Sequence, residues 1–113
     1  MDELVKKIAP FNFVTLKNGL LSVCLDTASY KKEIFAERYQ DGIMGSGYDW
    51  DRIANFVVRK YGIRQKGYIY FDSEADMFCA LSNHFEVLKE FVLKLKEVCD
   101  NDEKLRKIIV ELW

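Results

Sequence analysis

The chain contains few of the residues that cross-link or interrupt a fold, with one proline, one histidine and three cysteines among 113 residues. Pro10 precedes the first strand-like segment, where a missing N–H breaks no strand pairing. The cysteines are odd in number, widely spaced and set among apolar neighbours, which argues against a disulfide framework. We therefore expect free thiols and a reducing, cytoplasmic location; the cysteines are Cys24, Cys79 and Cys99.

Long apolar runs and an excess of one charge are also missing. No segment reaches the ~18 apolar residues of a membrane helix, and the first residues lack the apolar stretch of a signal peptide. Seventeen basic and eighteen acidic residues give a net charge of -1, so no overall positive field attracts nucleic acid or an anionic membrane. The composition thus disfavours both as direct partners.

Half of the residues are hydrophobic, which suffices for one core in a chain of this length. We expect a single domain over residues 1–113. Strand-favouring segments at 11–16 and 20–25 flank Asn18-Gly19, a dipeptide typical of type I′ hairpin turns. Segments 67–72 and 77–82 predict a second hairpin around an acidic turn.

Helical patterns follow each predicted hairpin. After the first come a helix over residues 29–40, with Ser29 as N-cap, and an amphipathic helix over residues 50–61. The latter is expected to begin after Asp49 as N-cap and to stop at Gly62.

The second hairpin precedes the most regular helical pattern of the chain. Asn83 and Glu86 predict a capping box for a helix that reaches Cys99, and a short helix from Leu105 to Leu112 follows. The order ββααββαα predicts an α+β fold in which two β-hairpins form a mainly antiparallel sheet packed by helices.

The segment DGIMGSGYDWDR, residues 41–52, is the first candidate site. Its glycines suit a phosphate-binding turn, but Asp41, Asp49 and Asp51 repel an anion and no P-loop lysine is present. The residues instead favour a glycine-permitted loop that leads into a capped helix. Its acidic and aromatic side chains also suit contact with a cationic cleft, such as that of a nuclease.

Other chemical patterns are incomplete. Asp72-x-Glu74-x-Asp76 resembles the opening of a calcium loop, but Met77 occupies the position of the required glycine. His84 is the only histidine and has no readable orienting partner for nucleophilic catalysis. We therefore expect no catalytic residues, no metal site, no cofactor and no enzymatic activity.

Several segments together resemble a known family. They are PFNFVTLKNGLLSVCLD, EIFAERYQDGIMGSGYDWDRIANFVV, YFDSEADMFCALS and KEFVLKLKEVCDNDEKL. From about Pro10 to about Leu112 the chain resembles the immunity protein fifty-one family. The resemblance implies an α+β cytoplasmic protein, encoded beside a toxin in bacterial polymorphic toxin or contact-dependent inhibition systems, that binds and neutralises that cognate toxin domain.

The resemblance also divides the candidate residues into two groups. Motif positions shared by proteins that recognise different toxins are expected to hold the common fold, with Tyr48 and Trp50 packed at a helix start. These positions are Gly47, Tyr48, Asp49, Trp50, Asp72, Glu74, Ala75, Met77, Phe78 and Cys79. Toxin contacts are expected at neighbouring exposed positions, namely Asp41, Ile43, Met44, Ser46, Asp51, Lys66 and Tyr68.

The leading hypothesis is a non-enzymatic immunity protein that occludes a toxin domain, for example a nuclease. The alternative is a small regulatory or scaffolding domain that binds a small ligand or a cellular protein in a pocket between sheet and helices. Exposed Ile43 and Met44 would also suit a homodimer contact.

Overall fold

The helices and strands follow one another largely as the hydrophobic pattern predicts. The structure, a computed structural model, describes residues 2–16 and 18–113. The helices are α1 (Asp2–Ile8), α2 (Lys32–Ala36), α3 (Gly47–Lys60), α4 (Phe85–Cys99) and α5 (Asp102–Leu112), and short 3-10 helices lie at Tyr39–Asp41 and Ile63–Gln65. The strands are β1 (Asn12–Thr15), β2 (Leu21–Asp26), β3 (Tyr70–Phe71) and β4 (Met77–Ser82).

The described strands form one antiparallel sheet in the order β1-β2-β4-β3. Both predicted hairpins are confirmed, and so is the α+β class. The hairpins join through their long strands, because β2 and β4 pair along their whole length from Leu21↔Ser82 to Asp26↔Met77. At the first turn Gly19 has a φ of 83°, a conformation that glycine adopts without strain.

The predicted element order needs one addition, because α1 precedes the first hairpin. This helix is short and mostly exposed, with Ile8 as its buried residue, so it lacks the long apolar periodicity that marks a helix in sequence. Its signal is electrostatic instead. Asp2 and Glu3 lie in the first turn and Lys6 and Lys7 in the last, which suits the helix dipole.

The predicted helix over residues 29–40 is wrong in extent. Only Lys32–Ala36 is α-helical, and Lys31 just before it has a φ of 58°, which breaks helical geometry at that point. Ser29 is therefore not the N-cap of a long helix. The predicted third strand is likewise shorter, since only Tyr70–Phe71 pairs with β4.

Two predicted helix caps are also wrong. Ser46, not Asp49, is the N-cap of α3, and Asp49 is the third helical residue. Helix α4 begins after His84, whose side chain makes no capping hydrogen bond, so the predicted Asn83–Glu86 capping box is not formed. The predicted stop of α3 is confirmed, because Gly62 follows the helix with a φ of 63°.

The helices cover one face of the sheet and enclose the core there. Alternate residues of β2 and β4 face this core and are fully buried; these are Val23, Leu25, Phe78 and Ala80. Burial of each large apolar side chain contributes about 1.5–3 kcal/mol to folding. The opposite face carries Cys24 and Cys79, which are half-buried. No helix in the described part of the chain is long and apolar enough to cross a membrane.

Candidate partner-binding site

The loop before α3 is held by the first turn of that helix. One carboxylate oxygen of Asp49 accepts the backbone N–H groups of Met44, Gly45 and Ser46, at 3.0, 2.9 and 3.3 Å. Ser46 Oγ in turn accepts the Asp49 N–H at 3.2 Å, which completes a capping box. Asp49 thereby fixes the path of the loop as well as the start of the helix.

A lysine holds the same loop from its carbonyl side. Lys32 Nζ donates to the carbonyl oxygens of Met44, at 2.7 Å, and Gly45, at 3.2 Å. Gly45 itself is buried, and a Cβ there would lie 2.9 Å from the ring of Phe35. The backbone that presents Met44 is thus bonded on both sides.

Gly47 joins α3 to the second hairpin. Its N–H donates to the carbonyl of Ala75 at 2.9 Å, in the turn between β3 and β4. A Cβ on Gly47 would lie 2.0 Å from the carbonyl oxygen of Glu74 and 2.5 Å from that of Met77. Only glycine allows this approach. The contact brings the two motif segments, which are far apart in sequence, together in space.

A second junction between α3 and the hairpin is polar. Ser73 Oγ donates to a carboxylate oxygen of Asp51 at 2.6 Å and accepts the backbone N–H of Cys79 at 2.9 Å. Partial burial raises the pKa of Asp51, and the hydrogen bond from Ser73 opposes that rise. Asp51, predicted as an exposed contact residue, is half-buried and tied to the hairpin.

The two aromatic residues of the YDW segment have opposite environments. Trp50 is fully buried, with its ring stacked on Tyr30 at 5.8 Å and edge-on to Phe11 and Phe35. Tyr48 is 57% exposed, so its predicted packing role is wrong. The difference follows from helix geometry, because residues two apart on an α-helix point to nearly opposite sides.

The neighbouring loop positions also differ in exposure. Met44 is 59% exposed, as expected of a contact residue, but Ile43 is fully buried. The prediction that Ile43 is an exposed partner-binding residue is therefore wrong, since its side chain belongs to the core cluster. Ser46 is half-buried and serves as the helix cap.

Exposed apolar and acidic side chains lie in the loop and first turn of α3 and in the turn of the second hairpin, two segments that the Gly47 contact joins. Met77 is 37% exposed, and Gly47 packs against its backbone. The hairpin carboxylates Asp72, Glu74 and Asp76 are exposed, and within the described residues they form no ion pair. We call this region the tip surface; it comprises Met44, Tyr48, Asp72, Glu74, Asp76 and Met77.

Two predicted contact residues lie elsewhere. Tyr68 is 71% exposed, and its carbonyl accepts a hydrogen bond from the Ser82 hydroxyl. Ser82 is the last residue of β4, whereas Met77 is the first. Lys66 is exposed and pairs with Glu90 of α4. Tyr68 and Lys66 both follow the C-terminal end of α3, a 14-residue helix about 20 Å long, whereas the loop precedes its N-terminal end.

Asp41 lies beside the loop but is already paired. Its carboxylate accepts a hydrogen bond from Arg38 Nε at 2.7 Å, and both side chains remain partly exposed. Among the predicted contact residues, Met44 is exposed at the tip surface, and Lys66 and Tyr68 follow the other end of α3. The remaining members are buried in the core or bonded to neighbouring groups; they are Ile43, Asp41, Ser46 and Asp51. Four residues expected to hold the common fold are instead exposed at the tip surface; they are Tyr48, Asp72, Glu74 and Met77.

The comparison with known families concerns almost the whole chain. A family model described as Immunity protein 51 matches residues 11–112. The chain belongs to this family. The predicted resemblance is confirmed, and the matched range includes the whole tip surface and both motif segments. Helix α1 lies before that range. No curated protein and no solved structure matches the chain.

Among the described residues, 2–16 and 18–113, no group of three or more His, Cys, Asp or Glu side chains is placed to hold a metal ion. His84 is an exposed N-cap residue of α4.

Proposed function

We propose that this protein is a cytoplasmic, single-domain immunity protein that binds a cognate toxin domain and blocks it without catalysis. The observation that carries this proposal is the match to the Immunity protein 51 family over residues 11–112. Neutralisation by binding requires a surface that can hold the toxin domain. The tip surface supplies the side chains for one.

The tip surface has the composition of a binding site. Tyr and Met are enriched in interface cores, and Tyr48 and Met44 are each more than half exposed. Their backbone is fixed by Asp49, Lys32 and the Gly47 junction. A surface that is ordered before binding loses less conformational entropy on association, so more of the contact energy is retained as affinity.

The acidic side chains indicate which kind of toxin surface fits. Asp72, Glu74 and Asp76 are exposed in the hairpin turn that precedes Met77 and lack ionic partners within the described part of the chain. Such carboxylates attract a cationic cleft and raise the association rate. We therefore propose a toxin domain with a basic active-site cleft, as a nuclease has, with its cleft placed over the tip surface.

The test is co-expression with the toxin domain encoded beside this protein, followed by measurement of cell rescue and of Kd. We expect rescue and a stoichiometric complex. The double variant Met44→Ala, Tyr48→Ala should weaken binding by roughly 10- to 1000-fold, as removal of interface anchors does. Tyr68→Ala is the matched control, since it removes an exposed tyrosine far from the tip surface and should leave Kd unchanged.

The outcomes separate the function from the site. Absence of both binding and rescue with the folded wild-type chain would overturn the immunity proposal. Full binding by the double variant together with loss of binding in Tyr68→Ala would keep the function but move the site to the other end of α3.

A further inference from the structure

Two cysteines that are distant in sequence face each other in the centre of the sheet. Cys24 of β2 is directly opposite Cys79 of β4, and their Sγ atoms are 3.4 Å apart. Both residues are half-buried and lie on the face opposite the helices. Their wide spacing in sequence predicts isolated thiols, whereas the strand pairing makes them neighbours.

The register gives this pair the geometry that a disulfide needs. Cys79 uses its carbonyl to accept from Asp72 and its N–H to donate to Ser73, so its backbone groups point away from Cys24. The pair is therefore of the non-hydrogen-bonded type, in which the Cα atoms are about 4.5 Å apart. Cross-linked cysteines have Cα separations of about 4.4–6.8 Å, so closure needs little backbone movement.

The pair is also chemically asymmetric. The hydrogen bond between the two thiols is the main cause that holds the pKa of Cys24 below its usual value, and the same contact raises the pKa of Cys79. This contact favours the thiolate of Cys24 over that of Cys79, and the thiolate is the attacking form in disulfide exchange. The third cysteine, Cys99, is fully buried in α4.

We propose that Cys24 and Cys79 form a reversible intramolecular disulfide by exchange with a low-molecular-weight disulfide such as glutathione disulfide. Cys24 attacks one glutathione sulfur, an S–S bond joins them, and the other glutathione leaves as a thiolate. Cys79 then loses its proton to water and attacks Cys24 Sγ, and the second glutathione leaves as a thiolate. The protein pair is oxidised by two electrons, and glutathione disulfide is reduced by the same number.

The disulfide ties the two hairpins together at a point near the tip surface. It cross-links residues 55 apart in sequence, which restricts the unfolded chain strongly. Met77 of the tip surface is in the same strand, two residues from Cys79. Under reducing conditions the pair stays a dithiol, so oxidation changes the rigidity of the sheet rather than its topology.

The test uses the full-length chain incubated with glutathione disulfide under native conditions. We expect two of the three thiols to be lost, an intact mass lower by about 2 Da without bound glutathione, and a Tm raised by roughly 5–10 °C. Dithiothreitol should reverse all of these changes. Peptide mapping should place the bond between Cys24 and Cys79.

Matched variants separate this pair from the third thiol. Cys99→Ala should behave as the wild type, whereas Cys79→Ser should retain glutathione on Cys24 and show no Tm increase. Wild-type protein that keeps all its thiols, that retains glutathione as Cys79→Ser does, or that forms intermolecular dimers would overturn the proposal. The wild-type mapping decides the matter even if a variant folds poorly.

Discussion

Gly42 and Gly47 are glycines for different structural reasons, and substitution by alanine distinguishes them. Gly42 has a φ of 84° but open space around it, whereas Gly47 is helical and lacks room for any side chain. Gly42→Ala should therefore cost about 1 kcal/mol of stability, the strain of a left-handed alanine.

Gly47→Ala should lower the free energy of unfolding by about 3 kcal/mol or more, because a Cβ cannot approach the carbonyls of Glu74 and Met77 without moving the hairpin away from the helix. Alanine favours an isolated helix by about 1 kcal/mol over glycine, so helix propensity alone predicts the opposite sign. Urea denaturation measures both variants. A Gly47→Ala protein as stable as wild type would show that this junction is not close-packed.

The carboxylate of Asp49 should contribute more to stability than a typical surface carboxylate does. Asp49→Ala removes the acceptor for three loop N–H groups and should destabilise by about 1–2 kcal/mol. Asp49→Asn keeps a side-chain oxygen and should lose less. Asp72→Ala removes an exposed carboxylate without these bonds and should change stability by less than about 0.5 kcal/mol. Equal stabilities for the two alanine variants would contradict the loop-holding role.

Asp51 gives a pH-dependent prediction. Its pKa is raised in the folded state by partial burial, so its ionisation opposes folding above that pKa, and the opposition disappears once the pH falls below the unfolded value of about 3.9. Asp51→Asn keeps an acceptor for Ser73 without the charge. The variant should exceed the wild type in stability by less than about 1 kcal/mol at pH 7, because solvent screens a half-exposed group. Denaturation at pH 7 and pH 4 should show this difference shrink; a larger difference at pH 4 would exclude the assigned cause.

At the scale of elements, periodicity predicted the long segments and missed the short ones. Helix α3 and helix α4 were both expected from apolar spacing, because each has a buried stripe over several turns. Helix α1 and the short strand β3 have too few residues for such a pattern. The predicted helix over residues 29–40 is interrupted at Lys31, which has a left-handed backbone conformation. A lysine at this position does not indicate that conformation.

Helix α1 lies outside the range matched by the family model, yet it contributes to the core. Ile8 is fully buried, so Ile8→Ala should lower the free energy of unfolding by about 2–4 kcal/mol. Val5 of the same helix is 47% exposed, and Val5→Ala should change it by less than about 0.5 kcal/mol. Chemical denaturation compares the two. Similar small losses for both would show that α1 does not belong to the cooperative fold.

At the scale of the whole molecule, the distribution of charge matters more than its sum. The net charge is -1, but the tip surface carries Asp72, Glu74 and Asp76 without ionic partners among the described residues. If toxin binding uses this surface, added salt should slow association, with a screening length of about 10 Å at 0.1 M.

The triple variant Asp72→Asn, Glu74→Gln, Asp76→Asn should reduce this salt dependence and slow association by about 10-fold or more at low salt. The matched control is Glu3→Gln, Glu86→Gln, Glu111→Gln, which removes the same charge from exposed sites on other elements. Stopped-flow association at two ionic strengths measures both. Equal effects of the two triple variants would assign the salt dependence to net charge instead of the tip surface.

Local turn residues, long apolar periodicity and motifs suffice to predict the α+β class, both hairpins, the helices α3 and α4, and the family. Which loop side chains face outward depends on the packing of the folded chain. Ile43 and Met44 are adjacent and similar in chemistry, yet one is fully buried and the other exposed. The pairing of β2 with β4 likewise brings Cys24 to Cys79, and the packing at Gly47 joins the two motif segments. Such long-range contacts depend on strand register and close approach, which no local sequence pattern encodes.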